Sequence, residues 1–301
     1  MVTRITSLGG ALIIVFVLAA CGDRRPPDSR PDAAIDESGT DGRLSLPVLD
    51  DADYAWIAER IFRNETGGDP AKLVHWNEGE DFPSLGIGHF IWFPAGVDAP
   101  FDESFPAMTA WVREATEARI PFPAWLAALE PFDAPWPSRE VFYTEFDGRE
   151  IASLRAWLDV TRFAQAQYIV ANFEARWNTL ELAEGDKAVL TATMRRLQTT
   201  PEGLFATVDY VNFKGLGSNP RERYAGHGWG LVQVLRDTVA ETRPDDDPRA
   251  LLDAFSRAAA ARLVRRAELA PPERNEARWV PGWTRRVGEY RQHGEDGVAS
   301  P

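Results

Sequence analysis

Glu65 stands just before a Thr66-Gly67-Gly68 break, and three further acids, Glu78, Glu80 and Asp81, follow about fifteen residues later. Ile57, Ala58, Ile61, Phe62 and Glu65 fall at helical spacings. A helix capped by Asp51 or Asp53 and running to about Glu65 would therefore put that carboxyl on the edge of an apolar stripe, in the last turn. The glycines beyond it stop the helix. Partial burial and the negative end of the helix dipole suit a carboxyl that must donate a proton, whereas the acids at 78 to 81, on a polar turn, suit the ionised partner. Two carboxyls in unlike surroundings are what general acid–base cleavage requires.

Between the acidic turn and Trp92 the chain reads Phe82-Pro-Ser84-Leu85-Gly86-Ile87-Gly88-His89-Phe90-Ile-Trp92. Alternation of glycine with Leu85, Ile87 and His89 predicts a short strand whose backbone another group approaches closely. Ser84 to His89 resembles the Thr-Ile-Gly-Ile-Gly-His hairpin of phage-type lysozymes, glycoside hydrolase family 24. The resemblance implies a lysozyme-like α+β fold and cleavage of peptidoglycan glycan by a Glu/Asp/Thr set. Mapped onto this chain, that set is Glu65 as general acid, Glu78 in the register of the Asp, and Ser84 in place of the Thr, where it would hold the attacking water. Glu65 lies further from Ser84 than the family spacing predicts, so Glu80 and Asp81 remain alternatives for the second carboxylate. Glycosidic cleavage uses one protonated carboxyl for the leaving oxygen and one ionised carboxyl for water or the oxocarbenium-like state. Trp76 and Trp92, flanking the turn, are the aromatics placed in a sugar cleft, with His89 on the substrate side. The other aromatics between Trp92 and Trp136 read as core beneath Pro-rich loops.

The elements that must position these groups are mostly helices. Helical periodicity runs from Phe105 to Glu117, from Ser138 onward, over Glu150 to Trp177 and over Glu184 to Gln198. A helix starting at Glu202 to Thr207 then leads into a Gly-rich loop, Asp209 to Leu235. That loop lacks both phosphate-cradling glycine patterns. Its Gly226-His-Gly-Trp-Gly-Leu-Val-Gln233-Val run resembles the cleft-lining Gly-Phe-Gly-Leu-Met-Gln-Val turn of goose-type lysozymes and lytic transglycosylases. Asn212, Lys214, Arg223, Tyr224, Trp229 and Gln233 would then meet N-acetyl and carboxylate groups of the substrate. Asp247 to Ala267 is an Ala/Arg-rich helix, and Trp279 to Tyr290 resembles the Pro-Gly-Leu-x-x-Arg-Arg-x-x-Glu helix that closes many family 24 domains. The fold expected is α+β, mostly α-helical: one lysozyme-like domain over residues 47–291, with a small β-hairpin and a large helical insertion.

The ends of the chain set the compartment. Arg4, the apolar run Leu8 to Val17 and Leu18-Ala-Ala-Cys21 make residues 1–21 a lipoprotein signal peptide, with a lipobox-like ending and Cys21 as the lipidated residue. Cys21 is the single cysteine of 301 residues, which leaves no disulfide within the chain. Residues 22–46, rich in Pro, Asp, Ser and Arg, read as a flexible tether, and residues 292–301 as a disordered tail. The placement expected is the periplasmic face of the outer membrane rather than the inner one, as a monomer on peptidoglycan strands, with no metal and no cofactor. A net charge of −13 argues against a nucleic-acid partner. Four histidines without His-Glu-x-x-His, and the lack of Gly-x-Ser-x-Gly, remove metalloprotease and serine-hydrolase readings. Two rivals stay open: a lytic transglycosylase, which uses one carboxyl, and a non-catalytic wall-binding lipoprotein of the same fold.

Overall fold

Helix formation dominates the chain because apolar residues recur at the 3.6 period in nearly every segment between prolines and glycines. In the computed structural model, residues 42–97, 99, 102–220 and 222–291 are described; the expected signal peptide, Cys21, most of the expected tether and the expected tail lie outside them. The elements run α1 (Asp51–Thr66), β1 (Val74–His75), β2 (Ser84–Leu85), β3 (Phe90–Ile91), α2 (Phe105–Ala115), α3 (Ala124–Ala127), α4 (Arg139–Thr144), α5 (Arg149–Val160), α6 (Arg162–Thr179), α7 (Glu184–Leu197), α8 (Pro201–Lys214), α9 (Leu231–Glu241), α10 (Pro248–Leu269) and α11 (Val280–Gly288). The protein is thus mostly α-helical with one small antiparallel sheet, ordered β1-β2-β3.

The cap of α1 lies one residue before the first of the two expected positions. Asp50 is the N-cap, and Asp53 is its reciprocal partner in a capping box rather than the cap itself. The other end is as expected: Gly67, at φ +66°, closes the helix by donating its N–H to Arg63 O. Ile57, Ala58, Ile61 and Phe62 are buried, and α1 packs on α6.

The Gly-x-Gly run differs from the expected strand. Only Ser84 and Leu85 are strand, pairing with His75 and Val74 on one side and Ile91 and Phe90 on the other. Gly86 has φ +69° and His89 φ +48°, so Gly86 to His89 is a turn between β2 and β3. The close approach inferred from the glycines is present. Gln165 of α6, fully buried, accepts from Ile87 N at 3.0 Å and donates to Leu158 O and Thr161 Oγ1. A Cβ at Gly86 would stand 2.3 Å from Gln165 Oε1. Because Gln165 is anchored on three sides it cannot step aside, so Gly86→Ala combines a left-handed backbone with a steric collision. It is expected to cost about 2–5 kcal/mol, read as a lowered chemical-denaturation midpoint.

Further corrections follow from local chemistry. The periodic stretch 150–177 is two helices, because the chain breaks at Thr161, whose hydroxyl bonds back to Trp157 O. Residues 42–46 belong to the folded body instead of the tether. Leu44 is buried, its backbone N–H and C=O are both held by the Asn178 side chain, and Gly42 O accepts from Thr191. Trp76 and Trp92 are core residues, 1% and 0% exposed, and do not line a sugar cleft. Trp76 donates to Glu80 O and packs on Phe142. Trp92 donates to Phe132 O and sits among Phe105, Phe132 and Trp136. Each indole N–H has thus found its acceptor inside the protein, the condition under which a tryptophan can be wholly buried.

Helix α8 is buried on nearly every side, from Gly203 to Val211, the pattern of a central core helix. It runs to Lys214, four residues beyond Tyr210, so Asp209, Asn212 and Lys214 ride on a helix and not on a loop. Beyond it the glycines serve packing. Gly217 and Gly230 touch backbone to backbone, a Cβ on Gly230 meeting Gly217 Cα at 2.3 Å. Leu231 N and Val232 N donate to Gly215 O and Leu216 O.

Candidate functional site

Helix α1 delivers Glu65 to the point where α8, α11 and the Gly86–His89 turn converge. Its side chain is 9% exposed. Arg286 Nη2 of α11 contacts Glu65 Oε1 at 2.5 Å, and Asn212 Nδ2 of α8 donates to the same oxygen at 3.2 Å. On the other oxygen, His89 Nδ1 stands 3.3 Å from Oε2. His89 itself is more than a third exposed, so the turn pinned by Gln165 brings a partly open imidazole up to a nearly enclosed carboxyl.

Behind Glu65 lies Asp209, with no exposed surface. The Arg286 fork spans its two oxygens, Nε to Oδ2 at 2.9 Å and Nη2 to Oδ1 at 2.8 Å. Tyr290 OH donates to Oδ2 and Asn64 Nδ2 to Oδ1. A buried carboxylate is stable only when its oxygens are supplied with donors in this way. Burial opposes the charge on Arg286, but the neighbouring Asp209 and Glu65 outweigh it and hold the guanidinium firmly protonated. Burial, reinforced by Asp209, likewise keeps the Tyr290 hydroxyl protonated. Asp209 and Asn212, three residues apart, share the α8 face that meets α1 and α11. Asn64, Asp209, Arg286 and Tyr290 had no place in the sequence-derived site. The usable signal was Asp209 alone, an acid inside the apolar run Leu204 to Val211.

The remaining expected residues divide clearly. Glu78 and Asp81 are exposed, and neither side chain makes a hydrogen bond or ion pair among the described residues. Glu80 is partly held, accepting from Asn77 Nδ2 at 3.0 Å. Ser84 is 6% exposed in β2, and no contact joins it to Glu65 among the described residues. Gln233 serves as a structural clamp: its oxygen accepts from Gly230 N and its amide donates to Gly217 O. Trp229 is buried, its carbonyl taking the Tyr210 hydroxyl. Tyr224 OH donates to Glu276, and Arg223 is exposed. The structure therefore brings Glu65, His89 and Asn212 together, adds Arg286 and Asp209, places Lys214 against the Phe213 ring that Arg286 also meets, and packs Trp76, Trp92, Trp229 and Gln233 into the protein.

Among the described residues, no group of three His, Cys, Asp or Glu side chains could hold a metal ion, and no helix is long and apolar enough to cross a membrane. Comparison with family models, curated proteins and solved structures finds no match to this chain.

Proposed function

We propose that this chain is a lipid-anchored, muramidase-like glycoside hydrolase of lysozyme-like fold that acts on peptidoglycan, tethered through Cys21 to the periplasmic face of the outer membrane. The observation that carries the reading is Glu65: a nearly enclosed carboxyl at a helix end, fixed by Arg286 and Asn212 and met by His89 from the Gly86–His89 turn. Such a group can protonate a leaving glycosidic oxygen. Glu78 or Asp81, exposed and without a hydrogen bond or ion pair among the described residues on the turn before β2, supplies the ionised second carboxylate, with Glu80 as the third choice. The helices from α2 to α7 form the large insertion between hairpin and core helix.

One observation favours lytic transglycosylation as a second reading. Of the candidate acids, Glu65 alone is built into a network with α8 and α11, as a single-carboxyl mechanism requires. Mass spectrometry of peptidoglycan digested by the protein tests both. Reducing muropeptides are expected from the hydrolase and anhydro products from the transglycosylase. Intact glycan beside folded protein that pellets with the wall would leave only a binding module.

A further inference from the structure

Next to Glu65, cations and rings alternate in a row. Arg266 Cζ lies 5.2 Å from the Trp283 ring, Lys214 Nζ lies 4.1 Å from Trp283 and 3.9 Å from Phe213, and Arg286 Cζ lies 4.2 Å from Phe213. Both end cations have acids of their own. Arg266 grips Glu276 through two bonds of 2.7 and 3.0 Å, and Arg286 holds Glu65 and Asp209. Lys214, in the middle, makes no hydrogen bond and no ion pair among the described residues. Two aromatic faces attract an ammonium but accept none of its three N–H donors as an oxygen would. A half-buried amino group whose donors find no acceptor among the described residues, near a candidate glycosidic acid, is a place where a ligand oxygen belongs.

The groups facing Lys214 decide which oxygen. Glu65 on α1 and Glu276 before α11 favour its charge, whereas Arg266 on α10 and Arg286 on α11 oppose it. Burial opposes it most, and together these hold the amine well below its ordinary range. A neutral hydroxyl would leave that imbalance in place, and a carboxylate would correct it.

We infer that Lys214, held between Phe213 and Trp283, is a carboxylate-binding point beside Glu65, and that it takes the acidic group of the wall substrate. This rests on the peptidoglycan reading for the identity of the ligand and, for its charge, on an amino group set between two rings and flanked by the guanidinium groups of Arg266 and Arg286. The carboxylate could come from the lactyl ether of a muramic sugar or from a peptide stem.

The chain has three lysines, Lys72, Lys187 and Lys214. Full-length protein labelled with 13C-lysine therefore gives three side-chain signals, Lys72 and Lys187 serving as controls and Lys214→Arg providing the assignment. Each is titrated with N-acetylmuramic acid, an acidic stem-like dipeptide and N-acetylglucosamine in turn. Binding of a carboxylate is expected to move the Lys214 midpoint upward, and the affinity to fall about tenfold as the pH rises past it. Lys214→Met should abolish that pH dependence. A response to the sugar acid alone, or to the dipeptide alone, identifies the source. No response to either acid, or an equal response to N-acetylglucosamine, overturns the site. The readout follows the lysine, so it separates the two claims: a Lys214 response without glycan cleavage keeps the site and removes the enzyme, and cleavage without a response does the reverse.

Discussion

Protein carrying Glu65→Gln is expected to release no detectable muropeptides, a loss on the order of 10²–10⁴-fold, because an amide cannot supply the proton that a general acid delivers to the leaving oxygen. The variant should nonetheless fold. The amide oxygen can still accept from Arg286 Nη2 and Asn212 Nδ2, and Asp209 remains as the counter-charge of Arg286. The two measurements belong together: muropeptide release by mass spectrometry, and a thermal midpoint within a few degrees of wild type. Silence without unfolding assigns the proton donor, and digestion at the wild-type rate would remove Glu65 from the chemistry. Glu78→Gln and Asp81→Asn, tested beside it, locate the second carboxylate. Both sites are exposed and without partners among the described residues, so a loss of rate there does not come from a broken network in the folded body. If neither slows the reaction while Glu65→Gln stops it, the single-carboxyl mechanism gains.

What could be read from the sequence follows the range of the interactions involved. The end of α1 at Gly67, the arrival of Glu65 in its last turn, the antiparallel hairpin and the close approach to Gly86 are local or nearly so, and each leaves a mark in spacing or residue type. The environment of Glu65 was not legible. Its main partner, Arg286, lies 221 residues further on, and nothing local ties the Arg-Arg pair of α11 to the end of α1. The tryptophans failed for a different reason. A Trp beside an acidic turn has the same local sequence whether it stacks on a ligand or fills a core. What decides is whether its N–H finds an internal acceptor, Glu80 O for Trp76 and Phe132 O for Trp92. The Gly-rich stretch after Asp209 is a loop over 215–220 and 222–230, as its composition says, and misled only at its ends, which are helical. Glycines that read as a loop are the contact surface of two backbone segments at Gly217 and Gly230, and the helix before them extends to Lys214.

Asp209→Ala is expected to be the most destabilising single change in the site, at about 3–5 kcal/mol, because it strips a buried guanidinium of the fork that neutralises it. Asp209 has no exposed surface and receives Arg286 on both oxygens, with Tyr290 and Asn64 completing its shell. Removing it leaves Arg286 with Glu65 as its one remaining acid among the described residues, and leaves the Tyr290 hydroxyl and the Asn64 amide without their acceptor. For a domain of this size the cost corresponds to a fall in thermal midpoint on the order of 10 °C. Asp209→Asn, which keeps the shape and one acceptor, should fall between the two proteins. The pair of variants separates charge from hydrogen bonding. If Asn is as damaging as Ala, the carboxylate charge opposite Arg286 is the decisive element. If Asn is nearly neutral, the hydrogen bonds suffice and Glu65 alone can balance the guanidinium. An unchanged midpoint for Asp209→Ala would mean that burying Asp209 costs as much as its bonds to Arg286, Tyr290 and Asn64 return, with Glu65 left to balance the guanidinium. Asp209 would then serve to aim Arg286 at Glu65 rather than to hold the fold, and its loss would appear in the rate of glycan cleavage alone.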